Sequence, residues 1–302
     1  MSYDYGNARI AAMRGRLLGR AAISRLGDSA TPAVMVAQLE RSADWAPILR
    51  RVAPLGTDAS AALETAIEFH RSARLGALLP FYDGQDRRFV ETLVLPLDAE
   101  RAVAVLRRRR AREPAEEIAT SSVPGALLDA TAVASMARAP GPAAALRPLV
   151  DRGVIARADA LPIIAAETRA ARSAVVESML LAAIDRARWE RVSVRGGEAA
   201  ALRRLLEYEQ EAREATIVEL GQAGPTLATI LERTTRLARL DALGALGRRD
   251  PLVIGAVAGY VAAVEAQAIR LRAMVARVQA HWTAEDAAPY LARNERSTWL
   301  AW

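Results

Sequence analysis

Four consecutive arginines, Arg107 to Arg110, are the sharpest chemical feature of the sequence. Guanidinium groups recognise phosphates and carboxylates through a planar fork of N–H donors. Successive helical residues advance about 100°, so four in a row wrap most of a helix and cannot share one solvent face. Such a run belongs near a helix end, where arginine complements the dipole and the last free carbonyls. Two uses follow: contact with the phosphates of a nucleic acid or of lipid headgroups, or simple pairing with Glu113, Glu116 and Glu117 close by. No aromatic residues interleave with the run, as stacking on single-stranded nucleic acid would require.

Other chemistry is scarce. The chain has 302 residues, no cysteine and two histidines. That excludes a disulfide framework, a cysteine zinc or iron–sulfur site, a thiol nucleophile and a three-histidine metal centre. His70, between Phe69 and Arg71, and His281, beside Trp282, read as packing or capping residues. All 41 basic residues are arginine, so the lysine of a phosphate-binding loop is missing. No GxSxG elbow or HExxH helix occurs, and the aspartates are scattered rather than clustered for magnesium. No catalytic residue, cofactor site or metal site is therefore expected. The 35 acids against 41 arginines leave a net charge of +6, a modest basic excess.

The elements that carry these residues should be helices. Alanine, leucine, arginine and glutamate dominate, aromatic residues make up 5%, and such a composition favours an all-α protein. Asp4 opens a first helix with Ile10, Met13, Leu17 and Leu18 on one face. Thr31-Pro32 opens a second, which ends before Asp44. Asp58 opens a third through Leu63, Ile67 and Leu75 towards Pro80. After a turn over Phe81 to Gln85, a helix over Phe89 to Arg112 is expected to kink at Pro96. Short helices with tight corners fill Ser121 to Pro148. One long helix is expected from Pro162 to Val192, then others over Glu198 to Leu220 and Thr226 to Leu246, with a corner at Gly221 to Pro225 and Gly247 as a C-cap. Asp250-Pro251 starts a penultimate helix reaching Trp282, and Thr283 with Asp286 starts a short last one.

Arginines recur through the first 25 residues, which argues against a signal peptide. The longest uncharged apolar run, Pro251 to Val264, is shorter than the roughly 20 residues of a membrane span. With its Gly255 and Gly259 it reads as a buried helix of a soluble protein. The expected location is cytoplasmic.

Three helices repeat a pattern of acids just ahead of arginine: Leu97-Asp98-Ala99-Glu100-Arg101, Tyr208-Glu209-Gln210-Glu211-Ala212-Arg213, and Tyr260 through Glu265 to Arg272. The opening Tyr5-Gly6-Asn7-Ala8-Arg9-Ile10 with Met13-Arg14-Gly15-Arg16-Leu17-Leu18 resembles the start of the central-stalk subunit of vacuolar/archaeal-type rotary ATPases, called C in prokaryotes and d in eukaryotes. The stretch around Glu211 and Arg213 is similar to that family's middle repeat. The stretch with Glu265, Ala268-Ile269-Arg270-Leu271-Arg272 is similar to its last long helix. Tyr5, Asn7, Arg9, Glu211, Arg213, Glu265, Arg270 and Arg272 are thus family-motif positions with an expected structural role.

The resemblance implies a funnel-like, all-helical body of three similar modules around a pseudo-threefold axis. Their approximate extents are 1–120, 121–224 and 225–302, with one module shortened. It implies a non-catalytic rotor subunit that couples the central shaft to the membrane rotor (proteolipid) ring for proton or sodium transport, peripheral to the inner face of the cell membrane. In that frame Arg107, Arg108, Arg109 and Arg110 would face the membrane or a partner subunit, and no nucleic acid is expected. The second reading is a helical scaffold or adaptor that uses its arginine-rich surface, nucleic acid included.

Overall fold

The computed structural model describes residues 3–55, 58–169, 171–220, 227–249 and 252–283. Among them every regular element is helical, in fourteen α-helices and two short 3-10 turns. The expected all-α class is what the chain adopts. The chain divides into two compact units, residues 1–71 with 196–302, and residues 72–195.

The first unit holds α1 (Tyr3–Arg14), α2 (Arg20–Gly27), α3 (Pro32–Leu39), α4 (Ala46–Val52), most of α5 (Ala59–Gly76), α12 (Gly197–Leu220), α13 (Leu227–Arg249) and α14 (Ile254–Gln279). Local chemistry sets several starts. The Thr31 hydroxyl accepts from the Val34 N–H at 3.4 Å ahead of Pro32, and Asp58 Oδ1 accepts from the Ala61 N–H at 2.9 Å. The centre of the unit is α14, which packs against α1, α2, α3 and α13. Val257, Ala258, Tyr260, Val261, Ala262 and Val264 are all buried, as in a helix apolar on every side. By length and composition α14 could cross a membrane, and 72% of its apolar window is buried inside the protein, as in a core helix.

Gly247 does not cap α13; it lies inside it. A Cβ there would come within 2.7 Å of the Gly259 Cα, so the two helices meet main chain to main chain. The Gly255 and Gly259 spacing thus serves a crossing between α13 and α14. The first helix ends at Arg14, short of Leu17 and Leu18, and α4 arises where the sequence suggested none. The corner at 221–225, the Asp250-Pro251 start and the short helix after Thr283 lie outside the described residues.

The second unit holds α6 (Gly84–Arg110), α7 (Ala115–Ser121), α8 (Ala130–Arg138), α9 (Pro142–Asp151), α10 (Arg157–Thr168) and α11 (Ser173–Arg191). Helix α6 packs along α11, and α7 to α11 pack successively on one another. Pro96 lies inside α6. Proline lacks the N–H that would bond the carbonyl four residues back, and that carbonyl, of Thr92, instead accepts from Nε of the buried Arg188 at 3.2 Å. The single helix expected over 162–192 is two helices, with a break after Arg169 where the Ala171 N–H bonds back to the Ala166 carbonyl at 3.0 Å.

At mid-α6 the carboxylate of Asp98, wholly buried, accepts from the N–H groups of Leu127 and Leu128 at 3.0 and 2.9 Å. A Cβ on Gly125 would strike Asp98 Oδ1 at 2.0 Å, so only glycine lets this loop approach so closely. Burial raises the Asp98 carboxyl to about 7 from its usual 3.8, against the opposing N–H bonds of Leu128, Leu127 and Ala126 and the charge of Arg191. Between those values the folded chain holds a proton that the unfolded chain has released. Stability should therefore fall as pH rises from 3.8 towards 7 and level off above. Asp98→Asn keeps the accepting oxygen and removes the titration, so urea unfolding at about pH 5 and about pH 8 should give a smaller difference in the variant than in the parent.

Candidate functional site

Placed at the last turn of α6, the four arginines diverge to four different parts of the second unit. Arg107 makes a bidentate pair with Glu177 on α11, at 2.8 and 2.6 Å, which holds the Glu177 carboxyl below its usual range. Arg108 donates to Glu113 at 2.6 Å and to the Ser121 hydroxyl at 2.8 Å. Arg109 donates to the carbonyls of Met136, Ala137 and Ala139 at 2.6–2.9 Å at the end of α8, where the Met136 carbonyl also accepts from the Ala139 N–H at 3.4 Å. Arg110 donates to Glu167 on α10 at 3.0 Å and to the Ala171 carbonyl at 3.0 Å, and so holds the break between α10 and α11.

The run is therefore a tertiary fastener in which each fork has its own set of acceptors. Glu113 is a partner of the run as its proximity suggests, whereas Glu116 pairs with Arg138 at 2.7 Å. Of the four side chains only that of Arg107 is more than half exposed, at 64%. A partner or membrane surface meeting this corner would meet Arg107 first.

Of the motif positions of the first unit, Glu265, Arg270 and Arg272 lie on α14 and Asn7 reaches the segment ahead of it. Asn7 Nδ2 donates to the Leu252 carbonyl ahead of α14, while the Leu18 N–H donates to Gln267 Oε1 at 2.7 Å. Tyr5 stays half exposed with the Arg9 guanidinium 5.8 Å from its ring centre. Glu265 binds Arg71 Nη2 at 2.7 Å, and both are buried. Arg71 Nη1 also reaches Glu68 at 3.3 Å, and Arg272 bonds Glu64 at 3.1 Å and pairs with Glu68. His70 stacks on Trp45 with ring centres 4.2 Å apart, a core contact, and His281 is exposed just past the end of α14. Glu211 is exposed; the buried acid of α12 is Glu209, paired with Arg239 on α13 at 3.4 Å. The side chain of Arg213 lies outside the described residues.

Sequence reasoning passed over Arg71, Glu209 and Asp98 as sites, yet a signal was present. Each charge sits on the apolar stripe of its helix, as in Leu63, Ile67, Arg71, Leu75 and in Leu202, Leu205, Leu206, Glu209, all of them buried. A lone charge on such a stripe must carry a partner into the core with it. The sequence does not name that partner, because Arg71 and Glu265 are far apart along the chain.

Three stability outcomes follow. Arg109→Gln should lower the unfolding free energy by about 2 kcal/mol through loss of three charge-assisted bonds, and Arg107→Gln by less than about 1 kcal/mol because its pair is solvated. Glu265→Gln takes one carboxylate from the buried Arg71 and leaves it to Glu68, which Arg272 also engages, and should cost about 3 kcal/mol. Urea unfolding of the three variants checks the order.

A family model described as ATP synthase (C/AC39) subunit matches residues 6–218. The matched span takes in Asn7, Arg9, the four arginines, Glu211 and Arg213, and ends before α13 and α14. A comparison with curated proteins returns no match. The match extends over well more than half of an all-helical chain, and the protein belongs to the ATP synthase (C/AC39) subunit family, a family of V/A-type ATP synthase subunits.

Proposed function

We propose that this protein is the non-catalytic central-stalk subunit of a V/A-type ATPase or ATP synthase, joining the rotating shaft to the membrane rotor ring. The observation that carries the reading is the family match over residues 6–218. Its partners would be the shaft subunits and the proteolipid ring, and its place the cytoplasmic side of the membrane, held there by the complex rather than by a span of its own. The proposal includes three similar modules at 1–120, 121–224 and 225–302. Support for that division comes from the buried acids Asp98, Glu209 and Glu265, each inside a long helix and each engaged by another segment.

A coupling subunit has to pass torque without deforming. Close-packed helices resist compression, and fastening a helix end through several charge-assisted bonds, as Arg109 does on α8, removes the freedom to fray. Broad, distributed contacts suit such a role better than a concentrated reactive site. The arginine excess suits acidic partner surfaces and anionic headgroups.

The deciding experiment is to purify the tagged full chain from gently solubilised membranes and identify its companions by mass spectrometry. Rotor-ring and shaft subunits should be recovered together with it; recovery of the chain alone, with an intact ring and shaft purified separately, would overturn the proposal. In vesicles carrying the complex, Arg107→Gln should weaken ATP-driven ion pumping if its exposed corner meets a partner, and unchanged pumping would remove Arg107 from that surface.

A further inference from the structure

In the first unit, the turn between α1 and α2 lies over α13 and α14 and leaves a cleft of about 450 Å³, within the size range of small-molecule sites. Its position is set by Gln267, which is buried on α14 and accepts from the Leu18 N–H at 2.7 Å. Three guanidinium-bearing residues line the cleft: Arg14 from the last turn of α1, Arg248 from the last turn of α13, and Arg270 from α14. Among the described residues, no carboxylate lines it. The remainder of the wall is apolar or small, with Leu17, Leu18, Ala262 and Ala263 among it. Gly19, the N-cap of α2, also lines the cleft and brings no side chain to cap that helix, so the positive end of the α2 dipole opens there.

We infer that this cleft binds an organic phosphate, with its phosphate among Arg14, Arg248 and Arg270 and its apolar part against Leu17, Leu18 and the α14 alanines. A charge-only surface would attract polyanions of any shape, whereas this site pairs a cationic rim with an apolar wall and selects an anion that carries a hydrophobic portion. The phosphate could come from a lipid headgroup or from a soluble metabolite. This inference concerns the isolated chain and goes beyond the rotary reading, which could fail while the site stands.

Calorimetric titration of the full chain at about 100 mM salt, a level that screens loose surface contacts, tests it with three probes: dihexanoyl phosphatidate below its micelle concentration, dihexanoyl phosphatidylcholine, and inorganic pyrophosphate. Phosphatidate should bind saturably at one site, and phosphatidylcholine should bind at least about tenfold more weakly because its headgroup is neutral overall. Phosphatidate about tenfold or more tighter than pyrophosphate indicates a lipid headgroup site; comparable affinities indicate a soluble phosphate source. Arg14→Gln and Arg248→Gln, both at exposed positions, should each weaken phosphatidate binding about tenfold. Ala263→Glu, which adds a carboxylate and keeps every arginine, should abolish it. Arg147→Gln, whose exposed pair with Asp151 lies in the second unit, should leave it unchanged. Absence of saturable binding to phosphatidate and pyrophosphate alike, or equal weakening by Arg147→Gln, would overturn the inference.

Discussion

A protein whose cations are all guanidinium groups must find several acceptors for each one it brings near its core. Arginine stays charged at any physiological pH and presents five donors in a fixed plane. A withdrawn arginine therefore needs a carboxylate, a set of carbonyls or both. Arg71 takes Glu265 and Glu68, Arg188 takes the carbonyl that Pro96 leaves open, and Arg109 takes the end of α8. Much of the tertiary structure follows from where acceptors of that kind lie. Helix ends are natural suppliers, since each leaves four carbonyls without helical partners. That is why arginines of this chain reach from one helix to the end of another, or to a carbonyl that a proline leaves open.

The same constraint explains which parts of the fold could be read from the sequence. Composition alone pointed to an all-α chain, and side-chain caps such as Thr31 and Asp58 marked helix starts because capping is a local interaction. The break between α10 and α11 was hidden, since the residues there favour helix and the opposing influence is Arg110, some sixty residues earlier in the chain. Propensity yields where a distant charge takes hold of the backbone. Gly247 misled in the opposite way. Glycine near an apparent helix end reads as a cap, and its actual reason is the main chain of α14 passing beside it.

The four arginines show how far a charge motif can be interpreted. Their place at a helix end was visible from helical geometry and dipole chemistry. Their division among Glu177, Glu113, the α8 carbonyls and Glu167 was not, because those acceptors come from four segments assembled only by folding. The acid–arginine repetition had a comparable outcome. It falls on three helices that each carry a buried acid, Asp98, Glu209 and Glu265, yet in α12 that acid is Glu209 while Glu211 is exposed, a difference of two positions that rotates a side chain from solvent to core. Membership in the ATP synthase (C/AC39) subunit family accords with a chain whose charges are spent largely on holding helices to one another.

Where α13 meets α14 at Gly247 and Gly259, the contact is made of backbone atoms. Side-chain interfaces can absorb a push by changing rotamers, much as a gasket yields between two plates. A backbone crossing has no such compliance, so displacing one helix at this point displaces the other with almost no lag. The hairpin is in effect a welded joint, and its stiffness comes from the absence of two methyl groups.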